Sequence, residues 1–191
     1  MRARTWISSF RMLAAGLALA GCSASLLAPP AFAASSKITT IVVVRHGEKA
    51  TDDPRDPSLS PAGQERAQAL ANALDGAGLS AVYVTEFKRT RLTAEPTAQH
   101  FGLTIQTKPR TDMQPEAYAA DLVPKVLKKH LGKVVLIVGH SDTVPAIVKA
   151  LTGKTVPPID EATEFDRLYV VEIPKSGAPR LIATRYGRPR P

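Results

Sequence analysis

The feature that most constrains the fold is a pair of apolar runs with no polar alternation, residues 38–44 and 134–138. The first run, ITTIVVV, is β-branched throughout, and the second reads VVLIV. A strand with one face in water alternates polar and apolar residues, whereas an uninterrupted run suits a strand buried on both faces. Helical patterns lie between the strand-like runs. The sequence therefore predicts an α/β domain, a three-layer α/β/α sandwich with a mostly parallel central sheet.

The helices are predicted from apolar residues at i, i+3, i+4 and i+7 and from end signals. Ser60 followed by Pro61 marks the start of the first helix, and Gly102 and Gly153 close the second and fourth. The third helix is expected around residues 123–127 with Pro124 in its first turn, because proline interrupts a helix interior. The predicted strands are 38–44, 81–84, 134–138, 168–173 and 181–184, the last two forming a hairpin around 175–177.

The composition excludes several classes of protein. One cysteine in 191 residues permits no intrachain disulfide and no cysteine-cluster metal site. The formal net charge of +8 favours an anionic partner. We expect no nucleic-acid partner, because aromatic residues are only 5% of the chain and the basic residues flank strand ends instead of lining one helix face.

The first 33 residues have the pattern of a secretory signal peptide. A basic head without acidic residues precedes the apolar run 12–20, which is too short for a lasting transmembrane helix. Two processing modes are open: a lipobox ending at Cys22, which would be lipidated and anchor the protein to a membrane, or cleavage after Ala33. We expect an exported protein, either periplasmic or an outer-membrane-anchored lipoprotein, with its folded domain in residues 34–191.

Two histidines follow the two long apolar runs directly. His46 and His140 each adjoin a glycine, and ligands of open α/β sheets bind outside the carboxyl ends of the strands. Arg45 precedes His46, and Arg89 begins a predicted helix after another strand, where an anion is well tolerated. Taken alone, each histidine could have only a structural role, with its ring hydrogen-bonded at the end of a strand. Taken together, these four side chains predict a cage for a phosphoryl group.

The same motifs carry a resemblance to a known family. The segments are RHGE at 45–48, LSPAG at 59–63, RTRLTA at 89–94 and GH at 139–140, and the likeness extends over about 38–173. The chain resembles the histidine phosphatase superfamily, in its phosphoglycerate-mutase-like group. The resemblance implies hydrolysis of small phosphorylated substrates, phosphomonoesters, without a metal or another cofactor.

The resemblance also implies roles for the four side chains. His46 would be the nucleophile that forms a phosphohistidine, Arg45 and Arg89 would bind phosphate, and His140 would complete the pocket. A glycolytic mutase is disfavoured, because export would separate the protein from cytoplasmic phosphoglycerates. The alternatives are a non-catalytic phosphate-binding envelope lipoprotein and a phosphohistidine or phosphoprotein phosphatase.

The proton donor is the point at which the motifs diverge from the family. Many mutase-like members have a glutamate well downstream of the second arginine, in a Leu/Glu/Gly-rich motif; Glu116 lies at a comparable distance after Arg89, but without that motif. Acid-phosphatase-like members have an aspartate directly after the second histidine, whereas here Ser141 separates Asp142 from His140. We place Glu116 slightly ahead of Asp142 as the acid. Either could instead be an ordinary carboxylate at a helix start. The natural substrate and the oligomeric state stay open.

Overall fold

The computed structural model describes residues 38–188. The predicted signal peptide, with Cys22 and the cleavage point after Ala33, lies outside the described residues. Within them, six strands and four helices alternate along the chain in the order β1 (Thr39–Arg45), α1 (Pro61–Ala73), β2 (Leu79–Val84), α2 (Lys88–His100), β3 (Ile105–Thr107), α3 (Pro115–Lys129), β4 (Val134–Gly139), α4 (Thr143–Thr152), β5 (Arg167–Ile173) and β6 (Arg180–Arg185).

The strands form one sheet in the order β3-β2-β4-β1-β5-β6. The first four are parallel to one another, whereas β5 is antiparallel to β1, and β6 is antiparallel to β5. The predicted mostly parallel sheet and the final hairpin are therefore confirmed. The two long apolar runs became β1 and β4, which are neighbours at the centre of the sheet.

Helices cover both faces of the sheet. Ile41 and Val43 point into a core shared with α3 and α4, while Val42 and Val44 point into a second core shared with α1 and α2. All four of these valine and isoleucine side chains are buried. The absence of polar alternation in this run thus has a direct physical cause, and the three-layer prediction is confirmed.

In the middle of the chain, one local prediction was wrong and one strand was not predicted. The third helix begins at Pro115, and Pro124 lies inside it instead of in its first turn. Proline there removes one helical hydrogen bond, but Tyr118, Leu122 and Val126 on one face of α3 are buried in the core, and this packing holds the helix together. The short edge strand β3 was not predicted, because three residues are too few to show a periodicity.

The first turn of α1 packs directly on the segment that follows β1. The Ser60 amide donates to the carbonyl of Glu48 at 2.9 Å, and the Ser60 side chain caps the helix by accepting from the Gly63 amide at 3.2 Å. A Cβ atom on Gly63 would lie 2.3 Å from the Glu48 carbonyl oxygen, and one on Gly47 would lie 2.9 Å from that of Gly63. Only glycine permits this approach, which holds the backbone beside His46 in place.

No helix within residues 38–188 combines the length and apolar character that a bilayer crossing requires.

Candidate functional site

The two strand-end histidines lie side by side. Arg45 pairs with Gly139 in the β1–β4 ladder, so the residues that follow, His46 and His140, leave neighbouring strands at the same level. The His46 amide donates to the Gly139 carbonyl at 3.0 Å. The ring centroids are 5.3 Å apart with an interplanar angle of 66°. The predicted convergence of the two imidazoles is found.

His46 is held in one tautomer. Its side chain is buried, with Nδ1 lying 2.7 Å from the carbonyl oxygen of Gly47. A carbonyl only accepts, so Nδ1 carries the hydrogen, and in the neutral ring Nε2 keeps its lone pair. Among residues 38–188 no group forms a hydrogen bond with this Nε2. Burial lowers the pKa of His46 to about 2, with smaller contributions from the charges of His140, Arg45 and Arg89.

His140 is oriented by a chain of hydroxyl groups. Its Nε2 lies 2.9 Å from Thr85 Oγ1, which in turn lies 3.1 Å from Thr90 Oγ1. Because the Thr90 hydroxyl donates to the Phe87 carbonyl at 2.8 Å, the Thr85 hydroxyl donates to Thr90, and His140 Nε2 donates to Thr85. Burial, and to a smaller extent the nearby charge of Arg89, lower the pKa of His140 to about 3. Both imidazoles are therefore neutral at physiological pH.

Arg45 is the largest fully buried side chain in the described residues. Its guanidinium donates to three main-chain carbonyls of one loop, those of Asp160 at 3.0 Å, Glu161 at 2.8 Å and Glu164 at 2.9 Å. It also stacks on the ring of Phe165, 4.0 Å from the centroid. Burial lowers the pKa of Arg45 to about 10, which still leaves it charged at neutral pH. The sequence predicted this arginine but not the loop that holds it.

Arg89 sits in the first turn of α2, as predicted. Its guanidinium lies over the Phe87 ring, 4.2 Å from the centroid, and Nη1 is 3.7 Å from the carboxylate of Asp56. The Nε atoms of both Arg89 and Arg45 are buried without a hydrogen-bond partner. An unpaired buried donor is costly in a folded protein, so a site with two of them on neighbouring guanidiniums suits an anion.

A third arginine, Arg110, was missed by the sequence reasoning. Its guanidinium forms a two-pronged ion pair with the carboxylate of Asp142, at 3.1 and 3.0 Å, and its amide donates to Glu86 at 3.0 Å. Its charge acts on both His140 and Arg89, which places it at the same edge of the sheet. Its position shortly after a strand is the same sequence signal that pointed to Arg45 and Arg89. It was not recognised, because β3 is only three residues long.

The two predicted acids occupy different positions. Glu116 is exposed in the first turn of α3, and no hydrogen bond or ion pair links it to His46 or His140 within the described chain. Asp142 caps α4 by accepting from the Thr143 amide at 2.6 Å and pairs with Arg110. The prediction that Asp142 caps a helix is thus confirmed. Asp142 is also closer to His140 in the sequence than Glu116 is.

No cluster of three or more histidine, cysteine, aspartate or glutamate side chains with metal-binding geometry is found in residues 38–188. The positive charge at this edge of the sheet comes from Arg45, Arg89 and Arg110, and the contacts described above hold each guanidinium in position.

Comparison with known proteins agrees with this geometry. The family profile of the histidine phosphatase superfamily (branch 1) matches residues 41–112, the segment that contains Arg45, His46 and Arg89. The resemblance to this superfamily is confirmed. His140, Glu116 and Asp142 lie outside the matched segment. No curated protein matches the chain at a significant level.

Solved structures of the superfamily share the fold. The protein histidine phosphatase SixA in complex with tungstate is 20% identical, with a TM-score of 0.62 over 76% of this chain and 96% of that one. YhfR of Bacillus stearothermophilus is 19% identical, with a TM-score of 0.60 over 75% and 95%. The phosphoserine phosphatase of Entamoeba histolytica, in complex with 3-phosphoglyceric acid, is 15% identical, with a TM-score of 0.57 over 79% and 98%. At these identities the likeness describes the fold.

The depressed histidine pKa values predict acid-sensitive stability. Below about pH 6.5 the unfolded chain takes up protons on His46 and His140 that the folded chain does not, so the free energy of unfolding falls as the pH falls. At pH 5 each histidine should cost about 2 kcal/mol relative to pH 7.5. Urea unfolding in phosphate-free buffers at the two pH values measures this loss.

The histidine variants isolate the cause of this loss. His46→Asn should lose about 2 kcal/mol less than the wild type between pH 7.5 and pH 5. His100→Asn is the control, because His100 lies on the surface, paired with Asp75, away from the site. An equal loss in wild type and His46→Asn would show that His46 does not titrate as a buried neutral group.

Proposed function

We propose that this protein is a phosphatase that hydrolyses phosphomonoesters through a phosphohistidine intermediate on His46, an enzyme of the phosphoric monoester hydrolase class. The single observation that carries the proposal is the state of His46. It is a neutral imidazole with Nδ1–H fixed on the Gly47 carbonyl and an unpartnered Nε2 lone pair, set between arginines. The phosphatases among the solved structures with this fold support the same activity.

The first chemical step transfers the phosphoryl group to the protein. The Nε2 lone pair of His46 attacks phosphorus, the bond between phosphorus and the ester oxygen breaks, and an acid protonates the leaving alkoxide. In the second step, the same group, now deprotonated, takes a proton from water, whose oxygen attacks phosphorus as the P–N bond breaks. Inorganic phosphate leaves, and His46 returns to its neutral form.

The arginines stabilise the charge on the transferred group. Phosphoryl transfer needs little covalent help from a protein beyond positioning and neutralisation of the equatorial oxygens. Arg45 and Arg89 supply two fixed guanidiniums, and Arg110 adds a third beside His140. A bound phosphate dianion favours the protonated form of His140, which then donates a hydrogen bond to the transferred group.

The catalytic role of His46 is tested with the purified protein and p-nitrophenyl phosphate. We expect turnover by the wild type and a loss of at least 1000-fold in His46→Ala, because the nucleophile is removed. A phosphoryl label carried by the denatured wild type should be stable in base and labile in acid, as a P–N bond is, and should be absent from His46→Ala.

Two results would contradict the phosphatase proposal. Equal rates for wild type and His46→Ala would exclude His46 as the nucleophile. Binding of inorganic phosphate without turnover or label would instead favour the non-catalytic phosphate-binding protein.

The proton donor is tested by comparing leaving groups. A general acid contributes about 100-fold or more when the leaving alkoxide is strongly basic, and little when it is p-nitrophenolate. We expect Glu116→Gln or Asp142→Asn, whichever removes the donor, to lose about 100-fold on glycerol 2-phosphate while changing little on p-nitrophenyl phosphate. If both variants lose the same factor on both substrates, neither carboxyl is the donor.

We further propose that the enzyme acts after export, in the periplasm or as a lipoprotein of the outer membrane. The basic, apolar and small-residue pattern of residues 1–33 supports this location. Use of the lipobox would let radioactive palmitate label the full chain expressed in a Gram-negative host, and Cys22→Ser should then remove the label. Cleavage after Ala33 would instead give an unlabelled, shortened protein in the periplasmic fraction. Cofractionation of the uncleaved chain with cytoplasmic proteins would contradict export.

A further inference from the structure

A cleft of about 540 Å³ opens beside the phosphate site. Its walls are formed by Glu48, Lys49, Glu161, Ala162 and Phe165. The Phe165 ring joins the cleft to the site, because the same ring stacks on Arg45 and lies 6.3 Å from the His46 ring, centroid to centroid. A phosphate ester bound at His46 would therefore have room for its leaving group on this side.

Of the three charged side chains that line the cleft, Lys49 and Glu161 are the two that can pair with a ligand. The carboxylate of Glu48 is held by Arg66 at 2.6 Å and is already neutralised. Lys49 and Glu161 form an ion pair across the cleft, with Nζ 3.1 Å from Oε1. Both side chains are exposed, and exposed ion pairs of this kind contribute little to stability, so a ligand can separate them at small cost.

Both charges also act on the phosphate site. The pKa of His140 is lowered mainly by burial, and the positive charge of Lys49 lowers it further. The pKa of Arg45 is lowered mainly by burial, and the negative charge of Glu161 opposes that shift. Lys49 and Glu161 thus lie close enough to the phosphate site for their charges to act on His140 and Arg45, respectively.

We propose that this cleft binds the leaving group of the substrate and that Lys49 and Glu161 select a zwitterionic one, which carries a carboxylate and an ammonium as a free amino acid does. When a zwitterion binds, its carboxylate pairs with Lys49 and its ammonium pairs with Glu161, so both protein charges keep a partner. A leaving group with only one of these charges leaves one protein side chain without its counter-charge. The preferred substrate class is then a small phosphate ester of a hydroxyamino acid, and this inference rests on the proposed phosphatase activity.

The test compares three esters that differ by one charged group each. O-phosphoserine has both charges, phosphoethanolamine lacks the carboxylate, and the phosphate ester of 3-hydroxypropionate lacks the ammonium. We expect kcat/KM for O-phosphoserine to exceed that for either of the others by about fivefold, the contribution of one exposed ion pair. p-Nitrophenyl phosphate reports the basal activity.

Substitutions assign each preference to one side chain. Lys49→Met should abolish the advantage over phosphoethanolamine, and Glu161→Gln should abolish the advantage over the 3-hydroxypropionate ester. Each ratio is taken within one variant, so a change in the rate of phosphoryl transfer common to all three esters does not affect it, and Glu161→Gln keeps the main-chain carbonyl that binds Arg45. Lys125→Met, which breaks a surface pair with Asp121 on α3, is the matched control and should change none of the ratios.

Three outcomes would overturn the inference. Equal kcat/KM for the three esters, with p-nitrophenyl phosphate still hydrolysed, would remove the zwitterion preference and leave the phosphatase proposal standing. Hydrolysis of the amide of N-acetyl-O-phosphoserine as fast as O-phosphoserine would indicate a phosphopeptide substrate instead. The absence of turnover with every ester, p-nitrophenyl phosphate included, would overturn both proposals.

Discussion

The parallel pairing of β1 with β4 is the constraint on which the rest of the site depends. Their register places Arg45 opposite Gly139, so that one further residue on each strand brings His46 and His140 into ring contact. Parallel neighbours end at the same edge of a sheet, and the polar groups needed for chemistry collect there. A shift of this register by one residue would turn one imidazole away from the other.

Burial then determines the chemistry available at that edge. Desolvation keeps both imidazoles neutral, and the positive charges of the neighbouring arginines lower the two pKa values in the same direction. The Gly47 carbonyl fixes the hydrogen of neutral His46 on Nδ1, so the free lone pair lies on Nε2. The same burial requires Arg45 to find oxygen partners, and three carbonyls of the 160–164 loop supply them. This loop also builds the cleft beside the site.

Much of the fold was predictable from local patterns, because the central strands are buried on both faces and show it in uninterrupted apolar runs. Where packing outweighs local propensity, the prediction failed. Pro124 lies inside α3 because the apolar face of that helix is buried against the sheet, and β3 is held at the edge by pairing with β2. Arg110 was not predicted because its position in the site depends on β3, the strand that the sequence did not reveal.

The sequence by itself determined the fold class and the four residues at strand and helix ends, because the order of apolar runs and the residues that follow them are local properties. Tertiary structure alone decided the tautomer of His46, the carbonyl cradle of Arg45, the pairing of Arg110 with Asp142 and the Lys49–Glu161 pair. The last three join segments that are distant in the chain, and the first depends on the backbone conformation that the fold gives to Gly47, so local residue patterns do not determine them.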